Sequence, residues 1–324
     1  MLADLRTLLD FARLRDVPLY AQRLAGFPVS SPDDFLPPLD PSLGRRLSAI
    51  ARAVRGPDAP PAIFVHGVLP RSGTNYLADM LELHPDVFAY PGRLWEFPLL
   101  RVASAYGAAQ TEFTYAFKRN AEVMAAWETL AYLASGWLAA MQAEAGGRRI
   151  LLKSPHVQNI GLFRHVFPDD ILLLCLRDGR DIIQSSRRTF QRWPFGKSFS
   201  QMATEWRHGT DAILTFKPGG PNATPNTLVV YYEDLVCNPA AAMRTVIDHT
   251  RLDPSVYDFK ALAALPVRGS SVVATTGEAR WQPHEKPRDF APVGRWKVWP
   301  RHRQSLFQAL AGDSLKRAGY EPSP

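Results

Sequence analysis

Residues 62–77, which read AIFVHGVLPRSGTNYL, most constrain what this chain can fold into. The stretch opens with an apolar, β-branched run that suits a strand buried on both faces. Gly67 and Gly73 then supply turn chemistry, and apolar residues follow at helical spacing up to residue 83. The pattern predicts a strand, a loop and a helix whose unpaired N–H groups face the loop. Such a helix N-terminus favours a bound phosphate or sulfate.

The nearest general motif is the P-loop, in which Gly and four further residues precede Gly-Lys-Ser/Thr. Here Gly67 and four residues precede Ser72-Gly73-Thr74, so the Gly-Lys pair is missing and the cation, Arg71, comes before the turn. A P-loop kinase is therefore one interpretation, which the strand-loop-helix order permits and the missing lysine opposes. An ordinary strand-turn-helix connection is another.

Strands and helices alternate along the rest of the chain. Strands are predicted at 86–90, 149–153, 171–176 and 228–231. Helices are predicted at 111–145, 160–167, 239–249 and 306–318, and a helix or loop-helix at 93–106. This order predicts an α/β, P-loop-like three-layer fold with a central parallel sheet flanked by helices. Ligands of such sheets lie beyond the C-terminal ends of the strands, where Arg71, Lys153 and Arg177 fall.

Composition indicates one large domain that spans residues 1–324: 46% of the residues are hydrophobic and 21% are charged. Within it we expect an N-terminal helix and proline-rich arm at 1–61, a catalytic core at 62–324 and a cofactor-covering loop at 266–300. The net charge of +7 comes from scattered Lys and Arg, which favours a small anionic ligand over nucleic acid. Two cysteines without metal spacing indicate a reducing compartment, and we expect the cytoplasm.

The N-terminal segment carries charges that argue against a signal peptide, and the longest uncharged apolar stretch, 129–143, is too short to cross a bilayer. No transmembrane segment is therefore expected. Residues 2–15 can form an amphipathic helix. That helix either covers the core or lies on a membrane surface, and the sequence leaves both open.

Two motifs in this order resemble the sulfotransferase superfamily, whose members bind 3′-phosphoadenosine 5′-phosphosulfate (PAPS). Arg71-Ser72-Gly73-Thr74 resembles the family's 5′-phosphosulfate loop, and residues 150–186 resemble the family throughout their length. In that family a strand ends in Arg-Asp-x-Arg, and a Ser follows eight residues after the first Arg. This Arg and this Ser bind the 3′-phosphate of the nucleotide. The matching residues are Arg177 and Ser185. An Arg fork and a helical hydroxyl suit a phosphate on chemical grounds as well.

The later part of the chain extends the resemblance, which covers residues 62–100 and 150–322. Residues 229–239 and 315–322 resemble segments of tyrosylprotein sulfotransferases and their bacterial relatives. Lys286 precedes Trp296 by the family's spacing, so Lys286 and Ser271 become candidates for closing over the cofactor. The resemblance implies a cofactor-binding set of Arg71, Ser72, Gly73, Thr74, Asn75, Tyr76, Arg177, Ser185, Ser271 and Lys286.

The general base is where the sequence departs from the family pattern. Carbohydrate and tyrosylprotein sulfotransferases place a catalytic Glu soon after His/Asn-Pro-Asp, yet here Pro91-Gly92 stands at that place. Glu96 is the nearest carboxylate. The cytosolic branch instead uses a His close after its catalytic Lys, and His156 follows Lys153 by three residues. The base is Glu96, His156 or no identifiable residue, and the implied catalytic set is Glu96, Lys153, His156 and Arg71.

The resemblance predicts a PAPS-dependent sulfotransferase that releases adenosine 3′,5′-bisphosphate (PAP) and needs no metal. The sulfuryl group would move in line onto a hydroxyl or amine of a small-molecule, carbohydrate or peptide acceptor. The alternatives are a small-molecule kinase and a nucleotide-binding protein without catalysis. Acceptor identity and oligomeric state, including a homodimer, stay open.

Overall fold

A five-stranded parallel sheet forms the centre of the chain. The computed structural model describes residues 17–27, 29–190, 196–268 and 282–322. The strands are β1 (Ile63–Gly67), β2 (Val87–Ala89), β3 (Arg149–Ser154), β4 (Ile171–Leu176) and β5 (Thr227–Tyr231). They pair in the order β2-β3-β1-β4-β5, every pair parallel. The predicted α/β fold with a parallel sheet is confirmed.

Helices connect the strands and cover both faces of the sheet. In chain order they are α1 (Val17–Leu24), α2 (Pro41–Arg55), α3 (Thr74–Leu81), α4 (Ala103–Ala116), α5 (Arg119–Val123), α6 (Glu128–Glu144), α7 (Phe163–Val166), α8 (Gly179–Phe190), α9 (Phe199–Leu214), α10 (Tyr232–Cys237), α11 (Pro239–Thr250), α12 (Phe259–Ala264) and α13 (Arg301–Arg317). Short 3₁₀ turns lie at Pro32–Asp34, Pro91–Arg93, Leu100–Val102, Ile160–Leu162, Pro254–Val256 and Arg295–Val298. Among the described residues no helix has the length and apolarity needed to cross a membrane.

Alternating side chains of the strands feed two hydrophobic clusters, one on each face of the sheet. One cluster joins Phe64 and Leu174 to α6, α9 and α13. The other joins Val65 and Leu173 to α3 and α11. Each fully buried Leu, Val or Phe contributes about 1.5–3 kcal/mol, so these layers hold the sheet rigid. The functional loops at its edge are thereby mounted on a fixed frame.

The register of the strands brings the predicted cations to one edge of the sheet. Lys153 near the end of β3 is the partner of Val65 in β1, and Gly67 at the end of β1 is the partner of Cys175 in β4. Arg177 follows directly after β4. Because all strands run in parallel, the loops after β1, β3 and β4 open on the same side.

Some predicted helices have different bounds. The helix or loop-helix predicted at 93–106 and the helical stretch predicted at 111–145 are separated by no break at 107–110; the helices begin at Ala103 and are divided into α4, α5 and α6. Phe117 is extended at the first break, and Trp127 has φ 67° at the second. Helix α9, which the sequence pattern did not indicate, begins with a capping box of Ser198 and Gln201. The predicted helix at 2–15 lies outside the described residues.

Candidate functional site

The loop between β1 and α3 forms one wall of the site. Its backbone takes left-handed conformations at Arg71 (φ 84°) and Gly73 (φ 98°). The Ser72 side chain is buried and closes the loop on itself, because its Oγ accepts the Leu69 N–H at 3.0 Å. Helix α3 begins at Thr74, so the N–H groups of its first turn have no partner within the helix. These donors and the helix dipole make the loop a place for an anion.

Three side chains predicted to bind the cofactor meet beside this loop. The Arg71 Nε donates to Ser185 Oγ at 3.0 Å, and the Arg177 Nη1 donates to the Arg71 carbonyl oxygen at 2.8 Å. Arg177 is buried; its Nη1 and Nη2 both donate hydrogen bonds, whereas its Nε has no hydrogen-bond partner among the described residues. A buried charged donor of this kind calls for an acceptor, which a ligand phosphate would supply.

The Tyr232 ring contacts both the anion loop and Arg177. The Arg177 guanidinium carbon lies 4.2 Å from the centre of the Tyr232 ring. A Cβ at Gly73 would lie 2.2 Å from Tyr232 Cδ2, so only glycine allows this contact. Tyr232 thus sets the distance between the anion loop and the arginine. Tyr232 begins α10 directly after β5, a position with no distinguishing sequence signal.

These groups line a single cavity of about 420 Å³. Its wall combines residues from both sides of β1 with residues from the later loops. It is lined by Pro70, Arg71, Gly73, Thr74, Asn75, Tyr76, Glu96, Pro155, His156, Arg177, Ser185, Tyr232, Val236, Val267, Arg268, Lys286, Phe290, Pro292 and Arg295.

Lys153 and Glu96 bring opposite charges to the β3 side of the site. Lys153 is buried, and its Nζ lies 5.9 Å from the centre of the Tyr90 ring. Burial lowers the pKa of Lys153, and the negative charges of Glu96 and Asp79 oppose that shift. Glu96 is exposed and lines the cavity. The Phe97 N–H donates to the Lys153 carbonyl oxygen at 2.7 Å, which ties the Glu96 segment to β3.

His156 lies in very different surroundings. It is buried, and its Nδ1 has no hydrogen-bond partner among the described residues. Burial lowers the pKa of His156 well below its usual range, and the positive charges of Arg101 and Lys197 lower it further. Its carbonyl oxygen accepts a hydrogen bond from His66 Nδ1 at 2.7 Å. His156 is therefore a neutral imidazole at the cavity wall.

A network that sequence reasoning missed lies next to Lys153. Arg268 forms an ion pair with the buried Asp79, and its Nη2 donates to the Tyr90 hydroxyl at 3.0 Å. The Tyr90 ring packs against Trp95 with centroids 4.9 Å apart. Burial raises the pKa of Asp79, and Arg268 opposes the shift. Arg268 is thereby held at the cavity wall.

Lys286 covers the anion loop from the other side of the cavity. Its Nζ donates to the Tyr76 hydroxyl at 3.3 Å, and burial lowers its pKa. Ser271 lies outside the described residues. In the described ranges no three His, Cys, Asp or Glu side chains are grouped as they would be around a metal ion.

The cavity brings most of the predicted residues together. Ser72 and Lys153 do not line it. The Ser72 side chain turns into its own loop, and the Lys153 Nζ lies 5.9 Å from the centre of the Tyr90 ring. The predicted residues at the wall are Arg71, Gly73, Thr74, Asn75, Tyr76, Glu96, His156, Arg177, Ser185 and Lys286. Their roles in binding and catalysis stay predictions.

Fold and site together define a three-layer α/β protein with a P-loop-like anion loop at the edge of a parallel sheet. Residues 61–255, more than half of the chain, match the family described as "Sulfotransferase family". The chain belongs to this family, and the predicted superfamily membership is confirmed. Its members are enzymes that transfer a sulfuryl group.

Curated relatives agree with this assignment. The chain is 25% identical over 319 residues to protein-tyrosine sulfotransferase A of Caenorhabditis elegans, which covers 96% of this chain and 80% of the relative. It is 28% identical over 269 residues to protein-tyrosine sulfotransferase 1 of Danio rerio, which covers 81% of this chain and 73% of the relative.

Solved structures show the same fold. The sulfotransferase domain of the Synechococcus PCC 7002 olefin synthase aligns with a TM-score of 0.52 at 21% identity, over 83% of this chain and 98% of that domain. The sulfotransferase domain from the curacin biosynthetic pathway aligns with a TM-score of 0.51 at 17% identity, over 82% of this chain and 99% of that domain.

Proposed function

We propose that this protein transfers a sulfuryl group from PAPS to a hydroxyl or amine of an acceptor, with PAP as the second product. The observation that carries the proposal is the meeting of Arg71, Arg177 and Ser185 at the N-terminus of α3. These groups come from two motifs more than a hundred residues apart. Their donors suit a ligand with two anionic ends.

The residues present fit this cofactor. The unpaired Nε of buried Arg177 would meet the 3′-phosphate, and the amides of α3 would hold the 5′ end. Lys286 and Tyr76 would cover the nucleotide. Bound PAPS supplies an activated sulfuryl group and a nucleotide bisphosphate as leaving group.

The chain's own residues would position the reactants and stabilise charge. Arg71 and Lys153 would offset negative charge that grows on the leaving side, a role that depends on preorganised cations in a partly buried site. Glu96 or His156 would accept the acceptor's proton, a step typically worth ~10²- to 10⁴-fold. The protein-tyrosine sulfotransferase relatives support a peptide tyrosine as the first acceptor to test, beside sugars and small phenols.

The test pairs a binding measurement with a turnover measurement. Isothermal titration with PAP is compared for the wild type, Arg177→Ala and Arg187→Ala, an exposed arginine of α8 that does not line the cavity. We expect Arg177→Ala to weaken PAP binding by roughly 2–4 kcal/mol and Arg187→Ala to leave it unchanged. Thermal denaturation is recorded in parallel, because Arg177 also donates to the Pro292 carbonyl oxygen at 2.7 Å.

Turnover is then followed with radiolabelled PAPS across the acceptor panel. Transfer from PAPS without added metal supports the proposal. PAP binding without transfer to any acceptor would instead indicate a nucleotide-binding protein, and turnover of ATP with magnesium would indicate a kinase. An Arg177→Ala affinity within about threefold of the wild type would mean that the 3′-phosphate lies elsewhere.

A further inference from the structure

The 3₁₀ turn at Arg295–Val298 brings a further arginine to the candidate site. Arg295 is the first residue of this turn and follows Gly294, which has φ 77°. It lines the cavity together with Arg71, Arg177 and Ser185, whose meeting carries the proposed cofactor site. Arg295 has no part in the two motifs that indicated that site. Its place at the cavity wall therefore needs an explanation of its own.

Backbone hydrogen bonds on both sides of Arg295 attach the turn to α8. The Gly294 N–H donates to Asp181 Oδ2 at 2.7 Å, and the Trp296 N–H donates to Asp181 Oδ1 at 3.0 Å. Asp181 is fully buried in the first turn of α8. Because one carboxylate accepts the N–H groups of the residues before and after Arg295, the backbone from which the Arg295 side chain leaves is fixed.

Two buried tryptophans strengthen this attachment. The guanidinium carbon of Arg180 in α8 lies 3.6 Å from the centre of the Trp296 ring. The Trp299 Nε1 donates to Gln184 Oε1, also of α8, at 2.7 Å. Ser185 belongs to the same helix. Arg295 and Ser185 therefore share one support and are preorganised for a common ligand.

Positive charge gathers around Arg295. Burial lowers the pKa of Arg295, and the positive charges of Arg188 and Arg177 lower it further, against the opposing charge of Asp181. The carboxylates beside these arginines already accept hydrogen bonds or form an ion pair; they are Asp178, Asp181 and Glu233. A half-buried arginine beside two others calls for an anion, which a ligand phosphate would supply.

We propose that Arg295 determines the specificity of the nucleotide site by binding the 3′-phosphate beside Arg177 and Ser185. The inference rests on the proposed function and extends it by naming a residue that rejects nucleotides without this group. The 3′-phosphate is close to a dianion at neutral pH, and a guanidinium presents a fork of donors that suits its oxygens. A site built for a charged group discriminates strongly against an analogue that lacks it.

Titrations with PAP and with adenosine 5′-monophosphate (AMP), which lacks the 3′-phosphate, test the inference on the full chain. The AMP affinity is read from its displacement of PAP. We expect Arg295→Met to weaken PAP binding roughly tenfold or more and to leave AMP affinity within about twofold, because methionine keeps an unbranched stem without the charge. Arg295→Lys keeps the charge but loses the fork, so its preference for PAP should lie between those of the wild type and Arg295→Met.

Lys297→Met is the matched control. Lys297 belongs to the same turn, is exposed and does not line the cavity, so the loss of its charge should change neither affinity. Circular dichroism and thermal denaturation establish that each variant is folded, and Arg295→Lys decides the question if Arg295→Met does not fold.

The outcomes separate this inference from the proposed function. A wild type that binds PAP and AMP alike would overturn both. A wild type that prefers PAP, with the same preference in the Arg295 variants, would overturn the inference alone. Equal losses of PAP and AMP affinity in Arg295→Met would also overturn it, because Arg295 would then support the site as a whole.

Discussion

Glu96 and His156 are the two candidates for the general base, and their surroundings differ sharply. Glu96 is exposed at the cavity wall and interacts electrostatically with Lys153. His156 is buried and stays neutral, because burial and neighbouring positive charges lower its pKa. A neutral imidazole can accept a proton, but the resulting cation would be buried among Arg101 and Lys197. The electrostatics therefore favour the carboxylate.

Glu96→Gln should lower kcat by ~10²-fold or more and retain PAP affinity, because glutamine keeps the shape of the side chain but cannot act as a base. The acidic limb of the pH–rate profile should vanish in this variant. His156→Ala is measured beside it across the same pH range. Loss of turnover only in His156→Ala would assign the base to the histidine. Full activity in both would mean that the acceptor is already nucleophilic or that another residue serves.

Lys153→Ala should lower kcat far more than it weakens PAP binding. Lys153 belongs to β3, close to the Tyr90 ring and to the charge of Glu96, whereas Arg177 follows β4 on the other side of β1. Under the proposed reaction its charge would therefore act mainly on the reacting group. Single-turnover rates and PAP titrations give the two quantities separately. A kcat within about tenfold of the wild type would remove Lys153 from this role.

At the scale of elements, the loop between β1 and α3 depends on one close approach. Gly73 has φ 98°, and its α-carbon faces the ring of Tyr232. The Arg177 guanidinium group packs against the same ring. A side chain here would strain the backbone and push the ring away. The anion loop and the arginine would then separate.

Gly73→Ala should therefore destabilise the protein and weaken PAP binding roughly tenfold or more. Gly219→Ala is the matched control, because Gly219 has φ 82° but no atom within 4 Å of an added Cβ. That control should cost only about 1 kcal/mol of strain and leave PAP binding intact. Thermal denaturation and titration measure both effects. Equal losses in the two variants would show that backbone strain, and not contact with Tyr232, governs the loop.

Elements with a strong local signal could be predicted from the sequence. Strands β1, β3 and β4 are apolar runs bounded by turns, and Arg71, Arg177 and Ser185 belong to motifs with fixed spacing. The bounds of helix α4 were predicted wrongly, with one helix or loop-helix ending at 106 and another helix starting at 111, because its exposed face is almost free of charge and periodicity needs a contrast between faces.

The missed site residues lacked a local signal altogether. Arg268 meets Asp79, its partner, across 189 positions of the chain, and it belongs to a segment without regular pattern. Only the folded chain shows that Arg268, at the cavity wall, and Lys153 both lie near the Tyr90 ring. Tyr232 likewise stands in an ordinary strand-to-helix turn, and its role follows from the lack of a side chain at Gly73.

At the scale of the whole molecule, Glu233 ties the end of the chain to the sheet. Its Oε1 accepts the Asp178 N–H and its Oε2 accepts the Tyr320 hydroxyl, both at 3.0 Å. Burial raises the pKa of Glu233 to about 7. The Glu233 carboxyl group therefore binds its proton more tightly in the folded state than in the unfolded state, in which its pKa has the ordinary value of 4.5. The stability that protonation provides is complete below that value and is lost as pH rises towards about 7.

Glu233→Gln should remove this loss, since glutamine is neutral at every pH. We expect the wild type to lose up to about 3 kcal/mol of unfolding free energy over this pH range relative to Glu233→Gln. Glu321→Gln, at an exposed position of the same C-terminal segment, is the control and should behave as the wild type does. Denaturant unfolding at several pH values gives the comparison. Parallel curves for the wild type and Glu233→Gln would contradict the assignment.

The side chains of the candidate site fall into two groups, which come from opposite sides of strand β1 in the sheet. On one side, Arg177 directly follows β4 and Ser185 belongs to α8. On the other side, Lys153 belongs to β3, and Tyr90 and Glu96 belong to the segment after β2. In descendants of this chain, substitutions at 90–96 can reshape the second group and leave the first intact. Under the proposed reaction, a lineage could acquire new acceptors one mutation at a time and inherit its nucleotide affinity unchanged. Under the same proposal, an engineer could randomise residues 90–96 and expect PAP binding to be largely retained.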